Sequence, residues 1–327
     1  MKKNHPDIVL AADWSVNPDK GRLLDLIQGS LPTAEDRAAA GDLLARLGDP
    51  RFRTEAFFLP ADNMLGFVQI PAGPFLMGSD RDRDPEADDE ELPRHTIILP
   101  AFFMGRYPVT VAQFKAFAEA TGCGPQSPGA LEVPDNRPVA GVTWFEARAF
   151  CDWLTERLRS WDGTPEPLAS LLRSRSGHGP PWRVTLPSEA EWEKTARGPD
   201  GRIHPWGDET DPDRANYTLT AIHETSAAGC FPQGAGPYGC LDMAGNVWEW
   251  TRSLWGTRPD HPDFNYPYDP LDGREDIEAG DDLLRVLRGG AFTSLEWDLR
   301  CAGRSGNAPR GWSLDIGFRA ALSRFPV

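Results

Sequence analysis

Two stretches decide how this chain is read: "GNVWEW" (Gly245–Trp250) and "RGGAFTS" (Arg288–Ser294). Each sets glycines, which allow close backbone approach, beside the tryptophan, acid or arginine that brace a pocket wall. "RCAGRSGN" (Arg300–Asn307) and "GFR" (Gly317–Arg319) follow. The region has the look of an enzyme pocket, yet the side chains that would do chemistry in it are missing. The choice is between an active site and a binding site built on an enzyme's frame.

The whole chain bounds the answer. It has 327 residues, 40% hydrophobic and 25% charged, enough for one large domain plus an appendage, or two domains. A net charge of -15 repels phosphate backbones and anionic lipid, which sets aside nucleic acid and membrane as direct partners. No apolar run approaches the roughly 20 residues of a spanning helix, and the start "MKKNHPDIVLAADWS" lacks a signal-peptide core, so the expected location is cytoplasmic. The 5 cysteines form no CxxC pair and are expected as free thiols. With 32 Gly, 31 Pro and 12 Trp, the composition predicts a loop-rich domain pinned by buried aromatics.

Residues 1–62 read as a helical lead-in: Thr33 caps a helix with Asp36 three residues on, Gly48 and Pro50 end it, and Leu43, Leu44 and Leu47 form its apolar face. Residues 63–327 form the main domain. "FVQIPAGPFLMGS" (Phe67–Ser79) predicts two strands about a Pro-Gly turn, and the acidic run Asp80–Glu91 a solvated loop. "RHTIILPAFFMGRYPVT" predicts further strands. Helices are expected after Thr110, with Phe114 and Phe117 facing the core; after Thr143, with Ala149, Cys151 and Trp153 at the core; and after Ser188, whose capping box Glu191 completes. Little helix is expected beyond Pro199.

In this order, "IPAGPFLMGS", "PVAGVTWFEARAFCDWL", "LPSEAEWEKTARG", "HPWGD", "GPYGCLDMAGNVWEWT", "RVLRGGAF" and "GFR" resemble the formylglycine-generating, sulfatase-modifying family over residues 67–319. The resemblance implies an α+β, elaborated C-type lectin fold: little regular structure, a twisted antiparallel sheet and two main helices. Fold does not settle function, because the family includes oxygen-dependent enzymes, sulfoxide synthases and pure binding proteins.

In the enzymes, a cysteine pair after the "RGGSF" motif holds copper(I), for which soft thiolates are suitable ligands. Here the first position falls near Ser294 and the second in the cysteine-free stretch Glu296–Leu299, leaving Cys301, read as packing. The sulfoxide synthases hold iron with three histidines; the 6 histidines here form no HxH or HxxxH pair. Neither copper nor iron is expected. The resemblance does imply a structural calcium at Asn246 and Glu249, with a weaker second position at Asn216, since hard oxygens suit that ion. The alternative reading of Asn246 and Glu249 is a turn fixed by hydrogen bonds.

The C-terminal segment resembles the variable proteins of diversity-generating retroelements, in which "RVLRGG" and "GFR" frame a diversified stretch. The frame here is Arg288, Gly289, Gly290, Arg300, Arg304, Asn307, Pro309, Gly317, Phe318 and Arg319, bounding a candidate variable region 288–319. Between them lie the candidate ligand-binding residues Thr293, Ser294, Leu295, Trp297, Asp298, Gly303, Ser305, Gly306, Ala308, Arg310, Gly311, Trp312, Ser313, Leu314 and Asp315. The resemblance implies that they share one exposed face, analogous to a paratope, whose partner is a protein. The expectation is a non-catalytic ligand-binding protein. Two other readings stand beside it: a divergent metal- and oxygen-dependent oxidoreductase, and an accessory module of a signalling or conflict system docked through residues 1–62.

Overall fold

Four helices begin with the same local device. At Thr33, Thr110, Thr143 and Ser188 the cap hydroxyl accepts from the amide three residues on, and the side chain there (Asp36, Gln113, Glu146, Glu191) accepts from the cap amide. Each satisfies two orphan donors at a helix start and contributes about 1 kcal/mol. The computed structural model describes residues 19–30, 32–174 and 179–324.

The lead-in holds α1 (Lys20–Gln28) and α2 (Ala34–Leu47). Then follow β1 (Phe52–Arg53), β2 (Leu59–Pro60), β3 (Phe67–Ile70), β4 (Gly73–Met77), β5 (His95–Leu99) and β6 (Phe102–Gly105). The helical middle is α3 (Val111–Thr121), α4 (Trp144–Ser160) and α5 (Glu166–Arg173), then β7 (Arg183–Thr185) and α6 (Glu189–Arg197). Beyond it come only short turns and β8 (Trp248–Gly256), β9 (Leu284–Arg288), β10 (Arg304–Asn307), β11 (Ile316–Phe318) and β12 (Ala321–Ser323).

The fold is mixed α+β. One four-stranded sheet runs β3-β6-β12-β7, all antiparallel. The other runs β10-β9-β8-β11, antiparallel except where β11 lies parallel to β8. The strands on either side of Pro71 do not pair as a hairpin: β3 joins β6, and β4 joins β5. Six α-helices form among the described residues, and α3 and α4, the longest of the main domain, are its two main helices.

Helix periodicity, rather than residue type, sets the buried faces. In α4 the buried positions are Trp144, Ala147, Phe150, Cys151, Trp153, Leu154, Thr155 and Leu158, on one face; Ala149, expected at the core, falls outside that face and is exposed. In α2 the buried stripe is Arg37, Ala40, Gly41 and Leu44, and Leu47 is exposed. Gly41 is required where α2 meets the main domain, because a Cβ there would lie 2.4 Å from that of Ala227. Tryptophans pin the main core: the Trp144 indole donates to Thr251 O (2.9 Å) and that of Trp250 to Val142 O (2.9 Å). Among the described residues no helix is long and apolar enough to cross a membrane.

Candidate functional site

The two stretches that opened the sequence reading meet in space. Gly245 N–H donates to Gly289 O (2.8 Å), Phe292 N–H to Asn246 O (3.1 Å) and Trp248 N–H to Asp315 O (2.8 Å). Gly289 and Gly290 have φ of 98° and 69°, a region open to glycine, and a Cβ on Gly289 would lie 2.9 Å from the Trp192 ring. The backbone therefore turns tightly over Trp192 and leads from the buried Ala291 to the surface at Thr293.

Beneath this turn lies a buried ionic frame. Arg288, fully buried, donates to Glu189 (3.0 Å), Glu193 (2.6 Å), Ala302 O (3.2 Å) and Cys301 O (2.5 Å). Arg304 donates from Nε and Nη2 to the two Glu189 oxygens (2.7 and 2.8 Å). Burial alone would raise the Glu189 carboxyl, but Arg304, Arg288 and Arg274 hold it below the ordinary carboxylate value. Arg319 grips Glu249 through Nε (2.6 Å) and Nη2 (2.7 Å) and also donates to Gly105 O, Leu241 O and Asp242 O. The frame arginines Arg288 and Arg319 each bond several carbonyls at once; the α6 acids Glu189 and Glu193 as counter-charges of Arg288 and Arg304 were not read from the sequence.

Two surface loops spring from this frame. Thr293, Leu295, Glu296 and Trp297 are exposed in the first, and Arg310, Trp312 and Leu314 in the second, where they alternate with covered neighbours. The apolar members are well exposed: Leu295 41%, Trp297 46%, Trp312 41% and Leu314 61%. The Thr293 hydroxyl donates to Asp315 (2.6 Å) and ties the loops together. Asp298, Ser305, Gly306, Ala308, Gly311, Ser313 and Asp315 are half-buried.

Three expected face positions need correction. Ser294 is buried, its Oγ accepting from Ala291 N–H (3.0 Å) to close the turn. Gly303 is buried against Asp298 O and Arg300 O, each 3.2 Å from where its Cβ would stand. Gly306 faces the Trp255 ring, where a Cβ would meet Cγ at 2.4 Å. These positions are set by packing, and their small size is a steric requirement.

Two contributors went unread. Leu219 is exposed beside the first loop, because Thr218 donates from its amide (3.1 Å) and hydroxyl (2.6 Å) to Ser294 O. The acidic run Asp80–Glu91 is only partly solvated. Asp84 and Glu91 are buried, Arg300 donating to Asp84 (2.9 Å) and to both Glu91 oxygens (2.5 and 2.8 Å). Only their spacing from Arg94 and the chain's distant arginines could have hinted at this, and spacing alone does not choose a partner.

Of the residues read as calcium ligands, Asn216 and Asn246 come together and Glu249 faces elsewhere. Asn246 Oδ1 accepts from Ser226 N–H (3.0 Å) and Asn216 Nδ2 (3.4 Å). Asn216 Oδ1 accepts from Thr220 (3.2 Å). Glu249 accepts from Arg319 and from the Trp192 indole (2.7 Å). Each side-chain oxygen is thus already an acceptor within the chain, and this donor set does not fit an open calcium shell.

Cys301 packs with Met104, Trp192 and Met243, and burial pushes its thiol up to about 12. Burial likewise pushes Cys230 up to about 12 and Cys240 to about 11, leaving Cys123 as the exposed thiol. Of the histidines, His95 accepts from Tyr268 N–H (2.8 Å) at Nε2, His204 stacks on Trp206, and His223 and His261 are exposed. His5 and His178 lie outside the described residues.

Residues 55–324 match the model of the sulfatase-modifying factor enzyme 1-like domain. The serine/threonine-protein kinase Pkn1 of Chlamydia pneumoniae is 31% identical over 284 residues, 80% of this chain and 38% of the kinase. The chain therefore spans well under half the length of that relative. The formylglycine-generating enzyme of Mus musculus is 30% identical over 303 residues, 80% of this chain and 76% of the enzyme. Among solved structures, variable protein 1 of Treponema denticola shares the fold with a TM-score of 0.53 at 24% identity, covering 78% of this chain and 94% of that one.

Proposed function

Because the chain belongs to the family of sulfatase-modifying factor enzyme 1-like domains, we propose that it is a non-catalytic binding member that presents a diversified C-terminal face to a protein ligand. The observation that carries this reading is the contrast between frame and loops. Arg288 and Arg304 are buried and bonded to Glu189, and Arg319 is buried and bonded to Glu249, while Leu295, Trp297, Trp312 and Leu314 are exposed to solvent. Large apolar side chains on tethered loops supply contact area at low entropic cost, as in a paratope. Residues that can change without touching the frame are what a diversified surface needs.

Two further observations favour binding over oxygen chemistry. Cys301, the thiol nearest the family's copper position, is buried with burial holding it protonated, whereas a copper(I) ligand is a thiolate. Ser294 spends its hydroxyl on closing a turn. The reading is that of a retroelement variable protein, and its frame residues are those quoted from the sequence.

The test is a displayed library randomised at Thr293, Leu295, Trp297, Arg310, Trp312 and Leu314. Most members should resist protease as the parent does, and panning against immobilised lysozyme should return binders. A library that is largely unfolded, or folded yet devoid of binders, overturns the proposal.

A further inference from the structure

We propose that the junction between the helical lead-in and the main domain holds a binding site for a free apolar α-amino acid. The site is a cavity of about 260 Å³, just below the roughly 300–1,000 Å³ of pockets that take drug-sized ligands. One wall comes from the lead-in, with Lys20 of α1, Gly48 at the end of α2, Phe52 and Phe58. The other comes from Ala112 of α3 with Asp135 and Asn136. Bonds across the junction hold the two walls in place. Gln113 Nε2 donates to Phe58 O (2.9 Å), Arg51 Nη1 to Ala228 O (2.7 Å), and Arg137 to both Asp42 oxygens (2.9 and 2.7 Å). The cavity shares no residue with the C-terminal face, so either site can fail without the other.

One side of the lining asks for a hydrogen-bond donor. Asn136 is 2% exposed, and its Nδ2 donates to Gly41 O (2.9 Å) and Asp49 Oδ2 (2.9 Å). Both partners only accept, which fixes the orientation of the amide. Its Oδ1 is then a buried acceptor that meets no donor among the described residues, a state native proteins seldom leave unanswered. The adjacent Asp135 is exposed and binds Lys115 through Oδ1 (2.7 Å), its Oδ2 accepting no bond among the described residues. Together these oxygens suit an ammonium group.

The opposite charge is supplied by Lys20. Its Nζ stands over the end of α2, 3.7 Å from where a Cβ on Gly48 would lie, where the carbonyl end of the helix favours a cation. No carboxylate among the described residues pairs with it, whereas Asp49, the other acid of the wall, is matched by Arg51 (2.6 Å). Half-buried Phe52 and Phe58 and buried Ala112 add apolar surface, the Phe52 ring set edge-on against Tyr107 (centroids 5.8 Å apart). Acceptors for an ammonium, a cation for a carboxylate and aromatic walls for a side chain describe an apolar amino acid. A plain carboxylic acid leaves Asn136 Oδ1 unmet, and a plain amine leaves Lys20 unmet.

Isothermal titration calorimetry of the full chain with L-leucine and L-phenylalanine, each to about 10 mM, reads the site directly. At least one should bind with a Kd below about 1 mM. Its counterparts lacking one charge should bind at least roughly tenfold more weakly, because each leaves a polar group unpaired: 4-methylpentanoate and isoamylamine for leucine, 3-phenylpropanoate and phenethylamine for phenylalanine. Lys20→Gln, at an exposed position, should weaken the amino acid about fivefold. Ala45→Phe, which fills the cavity from α2, should abolish binding; Lys20→Gln decides if that variant misfolds. No binding of either amino acid, a counterpart that binds as tightly, or a Kd unchanged in Lys20→Gln or in folded Ala45→Phe would overturn the proposal.

Discussion

Gly306→Ala separates a site set by packing from a freely variable one. Gly306 sits in β10 with its Cα hydrogens over the Trp255 indole, and an added Cβ would stand 2.4, 2.6 and 2.7 Å from Cγ, Cδ1 and Cδ2. The obstacle is a ring that has little freedom to yield. Its Nε1 donates to Arg258 O (2.8 Å), and the Arg304 guanidinium lies 5.1 Å from its centroid while bound to Glu189. Overpacking of this kind costs about 1–3 kcal/mol, and a strained indole hydrogen bond adds about 1 kcal/mol. Alanine returns about 0.4–1 kcal/mol by restricting the unfolded chain. The net expectation is a loss of about 2 kcal/mol, or roughly 3 °C in Tm for a chain of this size. Urea unfolding followed by tryptophan fluorescence measures it, with Ser305→Ala as the neighbouring control within about 0.5 kcal/mol. A Gly306→Ala protein as stable as the parent would refute the packing argument and return Gly306 to the variable face.

Trp312→Ala combined with Leu314→Ala should leave the urea midpoint within about 0.5 kcal/mol of the parent, because both side chains are solvent-exposed; a large loss would place them in the core. Glu189→Gln should cost about 3–5 kcal/mol, because it strips the buried Arg288 and Arg304 of their shared counter-charge; a neutral result in the same assay would mean that the ionic frame does not hold the sheet. Iodoacetamide on the native chain should modify Cys123 alone, read by peptide mass spectrometry, since the other four thiols are buried; rapid labelling of Cys301 would reopen the copper position. Purified protein incubated with copper(I) and a cysteine-containing peptide should consume no oxygen above a protein-free control, and uptake that tracks protein concentration would favour the oxidoreductase reading.

Local signals were legible where the cause is local. The caps at Thr110, Thr143 and Ser188 lie three residues from their partners, so the sequence displays both halves of each box. Trp312, a candidate face residue between Gly311 and Ser313, is exposed as a loop of small residues leads one to expect. Long-range pairings were not legible. Arg300 and Glu91 are 209 residues apart, and Arg304 and Glu189 are 115 apart, so nothing in an acidic run or an α6 capping region names its partner. Gly306 shows the same limit: its neighbour Trp255 is supplied by another strand, so a steric requirement there looks like any small loop residue.

The most direct test of a diversified binding face is to sequence the 3′ end of the gene and its flanks in several isolates. The account predicts a near-copy of the segment encoding Arg288–Arg319 beside a reverse transcriptase, with differences confined to adenines. Among isolates, changes should gather at Thr293, Leu295, Trp297, Arg310, Trp312 and Leu314 and spare Ser294, Gly303 and Gly306. No such copy, together with invariance at the six exposed positions, would contradict it.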